Sequence, residues 1–508
     1  MIKLKSFKNP FVLHPFLFGL FTTIFLFSHN IHLVKFQDLF SPISIIIITV
    51  IILLVIINLI LKNKNKSALI VSLGLILFFS YGFIYEIIDS SFENNLKHRY
   101  VIAVFVIAFL ISTFYFIKTH RILNNATKIT NAIGVVIILI SLSNIAVYFI
   151  EGNSFTNDFS ADNQIITTNN KVNLSDVYYI ILDGYAGTEA LENVFNFDNS
   201  EFYDFLTEKG FYVPKKSHTN YPSTYQSIAS ALNMKYINQI DSENLQKRTD
   251  IAYEMIDNNK VMKNFKSKGY TIININSGWG PTREIFNADI NLCDNYRGVL
   301  DSELFSMIVN KSMLNPFYVK IFEDNRRELL LCHFSTLTEV YKITNEPIFV
   351  FSHITIPHPP YIFGPNGEKI TPKSLELGDT IRDKEGYIGQ LQYTNKLVED
   401  TIEEILTKYD IPPVIIIQGD HGSSESELSW ETLDDDSLKE RFSILNTFLV
   451  PENEDEIFYE TITPVNTFRI LFNHIFNDKY DLLKDRQYVA EQEEPWNFIE
   501  KTELFLQN

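Results

Sequence analysis

Long runs of Ile, Leu, Val and Phe dominate the first 150 residues, whereas the rest of the chain has an ordinary globular composition. A helix needs about 20 apolar residues to cross the hydrocarbon core of a bilayer. Five segments meet that length, and the second, PISIIIITVIILLVIINLIL, contains no charged residue. The pattern therefore predicts five membrane-spanning helices, at approximately 10–29, 42–61, 67–86, 99–117 and 132–150.

The first apolar segment, 10–29, has a second interpretation as a cleaved signal peptide. Its apolar stretch is long, and no small-residue cleavage site follows it. We therefore expect a retained helix.

Basic residues fix the predicted orientation of these helices. With the N-terminus inside the cell, the inner loops hold nine Lys or Arg residues and the outer loops hold three. This excess obeys the positive-inside rule. An odd number of spans then places everything after residue 150 outside the cytoplasm. The expected organisation is a transmembrane domain over 1–150, a polar linker over 151–173 and an extracytoplasmic domain over 174–508, in a multi-pass protein of the cell membrane.

The outer domain alternates apolar strands with helical patterns. Strands are predicted within 176–187, 270–277, 347–361 and 412–422, and helices over 200–211, 259–269 and 385–410. Such alternation predicts an α/β fold with a mostly parallel central sheet. Ligands of such sheets bind at the carboxyl ends of the strands, so polar residues at those ends are the candidates for chemistry.

Charge and cysteine content narrow the possible partners. Residues 151–508 carry a net charge of −26, against +8 for residues 1–150. An acidic domain repels phosphate backbones, which argues against nucleic-acid binding. The two cysteines, Cys293 and Cys332, form no CxxC pair, so a thiolate zinc site is not expected. Outside the cell they could form a disulfide, which their spacing alone cannot establish.

Two strand ends carry potential metal ligands. Asp183 follows the apolar run VYYIIL, and Asp420-His421-Gly422 follows VIIIQG. Carboxylate and imidazole groups bind Zn²⁺, Mn²⁺ or Mg²⁺. An isolated Asp-Gly after a strand is also an ordinary turn signal, so Asp183 alone does not establish a site.

A candidate nucleophile lies in NYPSTYQSIASALNMKYI, where Ser223 and Thr224 precede a predicted helix. The positive end of the helix dipole and free backbone N–H groups favour an alkoxide and an incoming phosphate at that position. Simple helix capping is the alternative role for either hydroxyl. The loop SHITIPHPPY adds His353 and His358, which in isolation are equally typical of hydrogen-bonded loop histidines.

Taken in order, these elements resemble the alkaline phosphatase superfamily, and in particular its sulfatase-like branch, over about residues 174–475. That branch carries a strand ending in Asp or Glu, a Ser, Thr or Cys nucleophile at a helix start, a His-Pro loop and a strand ending in Asp-His-Gly. Residues 390–422 resemble its helix–strand–DHG block closely. Membrane helices followed by such a domain are similar to lipoteichoic acid synthases and phosphoethanolamine transferases.

The resemblance implies roles for individual residues. TYQS followed by LN matches the T-x-x-S helix start of both transferase families, which favours Thr224 over Ser223. The implied metal ligands are Asp183, Thr224, Asp420 and His421. The implied substrate-binding residues are His353 and His358, together with Trp279 and Arg283 in NSGWGPTREIF, where the local spacing departs from the family.

Two departures from the superfamily limit the chemistry. Formylglycine sulfatases need C-x-P-x-R, and neither LCDNY nor LCHFS provides it, which argues against sulfate esters. Members with two metals usually have a further histidine soon after Asp-His-Gly, whereas the next histidine here is His474. We therefore expect one divalent metal ion, Zn²⁺, Mn²⁺ or Mg²⁺.

The resemblance implies a transferase that moves the head-group phosphate of a membrane phospholipid onto a glycan or lipid acceptor through a covalent intermediate on Thr224. The alternative from the same superfamily is a membrane-anchored hydrolase of phosphodiesters or phosphonates. A third interpretation is an inactive binding module that kept the fold.

Overall fold

The computed structural model describes residues 10–31, 34, 36–90, 96–120, 123–152, 174–238, 250–294, 303–370, 383–423, 434–451, 457–490 and 494–506. Nearly all of the predicted linker, 151–173, lies outside them. Packing divides the described chain into two compact units: a helical unit, 10–152 and 303–322, and an α/β unit, 174–294 and 323–506.

The helical unit contains five apolar helices near the predicted positions. Four of them are long and apolar enough to cross a membrane. The first has only 16 residues, fewer than the about 20 that a full crossing needs, so the predicted count of five spans is not confirmed. The helices are α1 (His14–His29), α2 (Phe40–Leu61), α3 (Lys64–Ser90), α4 (His98–Lys118) and α5 (Asn124–Gly152).

The five helices differ in what covers their apolar side chains. The short helix α1 packs against α2, α3 and α5 and buries Gly19, Leu26 and Phe27. In contrast, α2, α4 and α5 leave many large apolar side chains exposed, including Leu59, Leu110 and Leu139. Apolar surface of this extent is unusual for a protein in water and is what helices surrounded by lipid present.

Residues 303–322, which we call the return segment, pack with the helical unit although they lie far along the chain. Helix α12 (Glu303–Asn310) buries Leu304 and Ile308 in one cluster with Leu26 and Phe27 of α1. The backbone N–H of Gly82 donates to the carbonyl of Lys311 at 3.0 Å. The sequence does not reveal where this segment packs, because the apolar residues of ELFSMIVN are equally typical of a helix in the core of the α/β unit.

The α/β unit is built on a six-stranded sheet of order β3-β2-β4-β1-β5-β6, in which only β6 runs antiparallel to its neighbour. This confirms the predicted α/β fold with a mostly parallel sheet. Every residue of β1, β4 and β5 is buried, as expected when both faces of a parallel sheet are covered. The strands are β1 (Val177–Leu182), β2 (Thr271–Ile275), β3 (Ile290–Leu292), β4 (Ile348–Ile354), β5 (Val414–Gly419) and β6 (Asn446–Leu449).

Helices connect these strands, and a short antiparallel pair, β7 (Tyr488–Ala490) and β8 (Phe498–Glu500), follows them. The helices of this unit are α6 (Thr188–Asn193), α7 (Ser200–Glu208), α8 (Thr224–Asn233), α9 (Asp250–Asp257), α10 (Lys260–Ser267), α11 (Gly280–Arg283), α13 (Asn315–Glu339, which begins in the return segment), α14 (Lys384–Leu406), α15 (Asp435–Phe442) and α16 (Pro464–Phe476).

Cys293 and Cys332 are joined by a disulfide, with their Cα atoms 6.1 Å apart. The two cysteines are 39 positions apart, and the loop that their bond closes contains the return segment. Replacing both cysteines with serine should lower the free energy of unfolding by about 2–4 kcal/mol, because the unfolded chain regains loop entropy. Thermal melting with and without reductant would measure this. A serine variant that melts like the oxidised wild type would contradict it.

Candidate metal centre

The register of the sheet brings the two predicted strand ends together. Leu182, the last residue of β1, pairs with both Ile354 of β4 and Gly419 of β5. The next residues, Asp183 and Asp420, therefore leave the sheet at the same level. The backbone N–H of Gly184 donates to Asp420 Oδ1 at 3.0 Å, which connects the two turns directly.

Glycine is required in both turns, for different reasons. Gly184 has φ +71°, a backbone conformation that other residues adopt only at a cost. A Cβ on Gly422 would clash with the carbonyl oxygen of Glu440, so no larger residue fits. The glycine of Asp-Gly thus reflects a left-handed turn, and that of Asp-His-Gly reflects tight packing against the backbone of Glu440.

His421 lies at the centre of the cluster, almost fully buried. Its Nδ1 is 2.8 Å from the carbonyl oxygen of Gly422. Since a carbonyl only accepts, Nδ1 carries the proton and Nε2 has a lone pair. That Nε2 lies 3.4 Å from Asp183 Oδ1, 3.3 Å from Asp420 Oδ2 and 3.0 Å from Thr224 Oγ1. The backbone therefore fixes the tautomer that a metal ligand needs.

Thr224 is the first residue of α8, and its hydroxyl points at the cluster, as the contact with His421 shows. Ser223 occupies the N-cap position, yet its side chain makes no capping hydrogen bond. The two hydroxyls therefore differ in their contacts. Thr224 Oγ1 contacts the buried imidazole of His421, whereas Ser223 lies at the N-cap, one residue before the helix.

The two histidines of the Pro-rich loop also lie at the cluster. His353, on β4, is fully buried, with Nε2 3.5 Å from Asp183 Oδ2. His358 is only half-buried, and its ring centroid lies 5.8 Å from that of His421. His358 Nδ1 donates to the carbonyl of Pro359 at 2.8 Å, so its Nε2 also carries a lone pair. A small cavity lined by His358, Ser423 and Arg441 opens beside it.

The residues present fit a divalent cation. One ligand atom each from Asp183, His358 and His421 lie within 4.8 Å of one another, and the same holds for Asp183, His353 and Asp420. Asp183 Oδ1, Asp420 Oδ2 and His353 Nε2 are buried and accept or donate no hydrogen bond within the described chain. Buried polar atoms without partners are costly, and a cation bound beside them would offset that cost.

The electrostatics of the cluster favour the same ligand. Burial, together with the neighbouring charge of Asp183, raises the pKa of Asp420 to about 7. Burial also lowers the pKa of His421 well below its usual range, and it lowers that of His358. Two buried carboxylates and neutral imidazoles are thus crowded together, and a divalent metal ion would stabilise the negative charge of the carboxylates while binding the imidazole lone pairs.

Trp279 and Arg283, the two residues predicted from NSGWGPTREIF, lie at opposite ends of helix α11. The ring of Trp279, the N-cap residue, lies 5.5 Å from the ring of His353 in an edge-on arrangement. Arg283 is the last residue of that helix and is half-buried. Trp279 is therefore near the cluster, whereas the substrate role of Arg283 stays a prediction.

Two arginines outside the predicted site also lie close to the cluster. Arg441, at the end of α15, donates from Nε to the carbonyl of Pro222 at 2.8 Å and from Nη1 to that of Gly422 at 3.2 Å. It therefore connects the loop before Thr224 with the loop after His421. Burial lowers its pKa to about 10, against the neighbouring charges of Asp420 and Asp183.

Arg326, on α13, is the second. Its Nη2 makes only long contacts with Thr355, 3.4 Å to the carbonyl and 3.5 Å to Oγ1, within the described residues. Burial lowers its pKa to about 10, and the charge of Asp183 opposes that shift. No sequence motif marks either arginine, because each reaches the cluster only through the tertiary fold.

A buried histidine behind the cluster makes stability depend on pH. His333 donates from Nε2 to the carbonyl of Asn276 and accepts at Nδ1 from Ser352, both at 2.8 Å. Burial lowers its pKa from 6.5 to about 3. Between these values the unfolded chain binds a proton that the folded protein does not, so stability falls as the pH falls.

Replacing His333 with glutamine should therefore flatten this dependence. In metal-free protein, the variant should lose roughly 2 kcal/mol less stability than the wild type between pH 6 and 4. Denaturant unfolding at each pH measures this. His474→Gln, at an exposed position, is the control and should follow the wild type. Parallel curves for wild type and His333→Gln would show that His333 does not titrate abnormally.

Comparison with known proteins gives structural similarity only. No family model and no curated protein sequence matches the chain. The zinc complex of the C-terminal periplasmic domain of EptC from Escherichia coli aligns at a TM-score of 0.41 and 12% identity, covering 64% of this chain and 92% of that one. The integral membrane lipooligosaccharide phosphoethanolamine transferase EptA from Neisseria meningitidis aligns at 0.38 and 12%, covering 86% and 88%.

A sulfatase, yidJ from Bacteroides fragilis, is similar to the same degree, with a TM-score of 0.38 and 12% identity over 65% of this chain and 84% of that one. The chain is thus similar in structure to phosphoethanolamine transferases and sulfatases, which belong to the superfamily that its motifs resemble. At 12% identity, this similarity is one of fold.

Proposed function

We propose that this protein is a membrane-anchored, metal-dependent transferase that moves the phosphate-linked head group of a phospholipid onto a hydroxyl of an extracytoplasmic glycan or lipid. One observation carries the proposal: a hydroxyl at a helix N-terminus, Thr224 Oγ1, lies 3.0 Å from the imidazole of a buried Asp–His cluster. The α/β unit would lie outside the cytoplasm, at the surface that holds both substrates.

The ligands of one divalent ion would be Asp183, Thr224, Asp420 and His421. When bound, the ion supplies a Lewis acid that stabilises negative charge on phosphate oxygens and lowers the pKa of a hydroxyl that it contacts. The helix dipole and the backbone N–H groups at the start of α8 would stabilise the negative charge of the same phosphate. Arg326 and Arg441 add two cations beside the cluster, and Arg326 is the better candidate for binding phosphate because its protein contacts are long.

The reaction proceeds in two displacements. The Thr224 hydroxyl loses its proton, its oxygen bonds to phosphorus, and the bond from phosphorus to the diacylglycerol oxygen breaks as that oxygen takes up a proton. An acceptor hydroxyl then loses its proton and attacks phosphorus, and Thr224 Oγ1 leaves and is protonated again. His358 is our candidate for carrying these protons, since its Nε2 holds a lone pair at the half-buried edge of the cluster.

The deciding experiment incubates the purified full-length protein with phosphatidylglycerol or phosphatidylethanolamine, with and without a glycan acceptor. Diacylglycerol release that rises with the acceptor, together with a labelled acceptor, supports transfer. Release that is independent of acceptor and produces free head-group phosphate identifies a hydrolase instead. Mass spectrometry should find a head-group phosphate on the peptide that contains Thr224. Absence of release from both lipids, with metal bound, would refute the proposal.

A further inference from the structure

Two hydroxyls lie behind His353, on the side away from the metal cluster. Thr282 Oγ1 is 2.8 Å from His353 Nδ1, and Ser277 Oγ is 2.8 Å from Thr282 Oγ1. All three side chains are buried. The short helix α11 carries Thr282, and the loop after β2 carries Ser277. The segment NSGWGPTREIF therefore provides a row of two hydrogen-bonded hydroxyls, Ser277 and Thr282, and Thr282 contacts His353 of the site.

The direction of the hydrogen bonds along this row can be deduced from its far end. Ser277 Oγ donates to the carbonyl of Trp279 at 3.1 Å and accepts from the backbone N–H of Trp279 at 3.0 Å. A carbonyl accepts only, so the Ser277 proton is used there. With the Ser277 proton directed to that carbonyl, Thr282 donates its own proton to Ser277, and the Thr282 oxygen accepts from His353 Nδ1–H; the distances of these two contacts fit either direction.

This order places the His353 proton on Nδ1 and a lone pair on Nε2. That lone pair lies 3.5 Å from Asp183 Oδ2 and takes part in no hydrogen bond within the described chain. In the absence of a cation, the hydrogen bond with Thr282 must therefore outweigh the repulsion between this lone pair and the Asp183 carboxylate. With the opposite tautomer, Nε2–H would donate to Asp183, and the histidine would be occupied by that bond.

We propose that Thr282, supported by Ser277, is a positioning residue that holds His353 in the tautomer with a free Nε2 lone pair. His353 consequently accepts, as a metal ligand or as a proton acceptor, and does not donate to phosphate oxygens while it is neutral. The catalytic consequence rests on the proposed function, but the tautomer is a property of the chain alone. Thr282 thus acts through His353, much as outer partners orient metal-binding histidines in general.

The first test measures the tautomer directly. Full-length protein labelled with ¹⁵N at histidine, in lipid nanodiscs and with metal removed by chelator, is examined by solid-state NMR. The His353 signals are identified by their loss in His353→Gln. We expect Nδ1 protonated and Nε2 unprotonated in the wild type and in Thr282→Ser, and a shift of the proton to Nε2 in Thr282→Val. A wild-type proton on Nε2, or a Thr282→Val spectrum like that of the wild type, would overturn the proposal.

The second test asks whether Thr282 acts through His353. Thr282→Val should lower kcat for lipid head-group release by on the order of tenfold or more, and Thr282→Ser should restore it. In a His353→Gln background, Thr282→Val should cause no further loss. Independent, multiplicative losses would mean that Thr282 only supports the fold, which contradicts the proposal. If the wild type releases no head group at all, the proposed function fails, and the NMR result still decides the tautomer.

Discussion

Replacing Thr224 with alanine should lower lipid head-group release by on the order of 1,000-fold or more, because the covalent route disappears with its nucleophile. The Thr224 hydroxyl is the one that contacts the imidazole of His421, at 3.0 Å. The measurement is initial-rate release of diacylglycerol from defined vesicles. The adduct on the Thr224 peptide should be absent from the variant.

Two further variants separate the nucleophile from its surroundings. Thr224→Ser keeps a hydroxyl and should retain measurable turnover. Ser223→Ala should remain within a few-fold of the wild type, since the Ser223 side chain makes no capping hydrogen bond. Full activity in Thr224→Ala, or a total loss confined to Ser223→Ala, would move the nucleophile to Ser223 or rule out the covalent mechanism.

Replacing Asp420 with asparagine should have opposite effects on the metal-free and metal-loaded proteins. Asp420 and Asp183 are buried side by side, and burial raises the pKa of Asp420 to about 7. Removing one charge relieves their repulsion, so the metal-free variant should melt at a temperature equal to or above that of the wild type. The stabilisation on adding Zn²⁺ or Mn²⁺, about 2.7 kcal/mol at a concentration of 100 times Kd, should be largely lost.

The matched control is Asp176→Asn, at the opposite end of β1. Asp176 accepts hydrogen bonds from the backbone of Ile348 and from Tyr409, so this variant should be less stable but should keep the full increase in melting temperature with metal. Thermal melting with and without metal gives both quantities. An Asp420→Asn variant that is stabilised by metal as strongly as the wild type would exclude Asp420 as a ligand.

The parts of the site that follow from short local sequence patterns could be predicted from the sequence. Asp183 and Asp420 end apolar strands, and parallel strands bring their carboxyl ends to one edge, so their proximity followed from the fold class. Their neighbour His421 was found in the same way. His353 and His358 were identified from their loop, although only the structure brings them into one cluster with Asp183.

Other parts depended on long-range packing, which leaves no local pattern. Arg326 lies inside a 25-residue helix with no marked apolar face, and it reaches Thr355 only through the tertiary fold. In NSGWGPTREIF the candidates predicted from sequence were Trp279 and Arg283, whereas the residue that forms a hydrogen bond with His353 is Thr282. The shortness of α1 was also missed, because residues 10–13 are not helical and the helix begins only at His14.

The return segment would keep the two units joined even if the chain between them were cut once. Leu304 and Ile308 are buried among side chains of α1, α2 and α3, although the chain on both sides of them belongs to the α/β unit. A single proteolytic cut between residues 152 and 174 would therefore leave the C-terminal fragment anchored by its own helix. If the α/β unit lies outside the cytoplasm, as we propose, its release from the cell surface would require the loss of α12 as well, so a single cut would not free it.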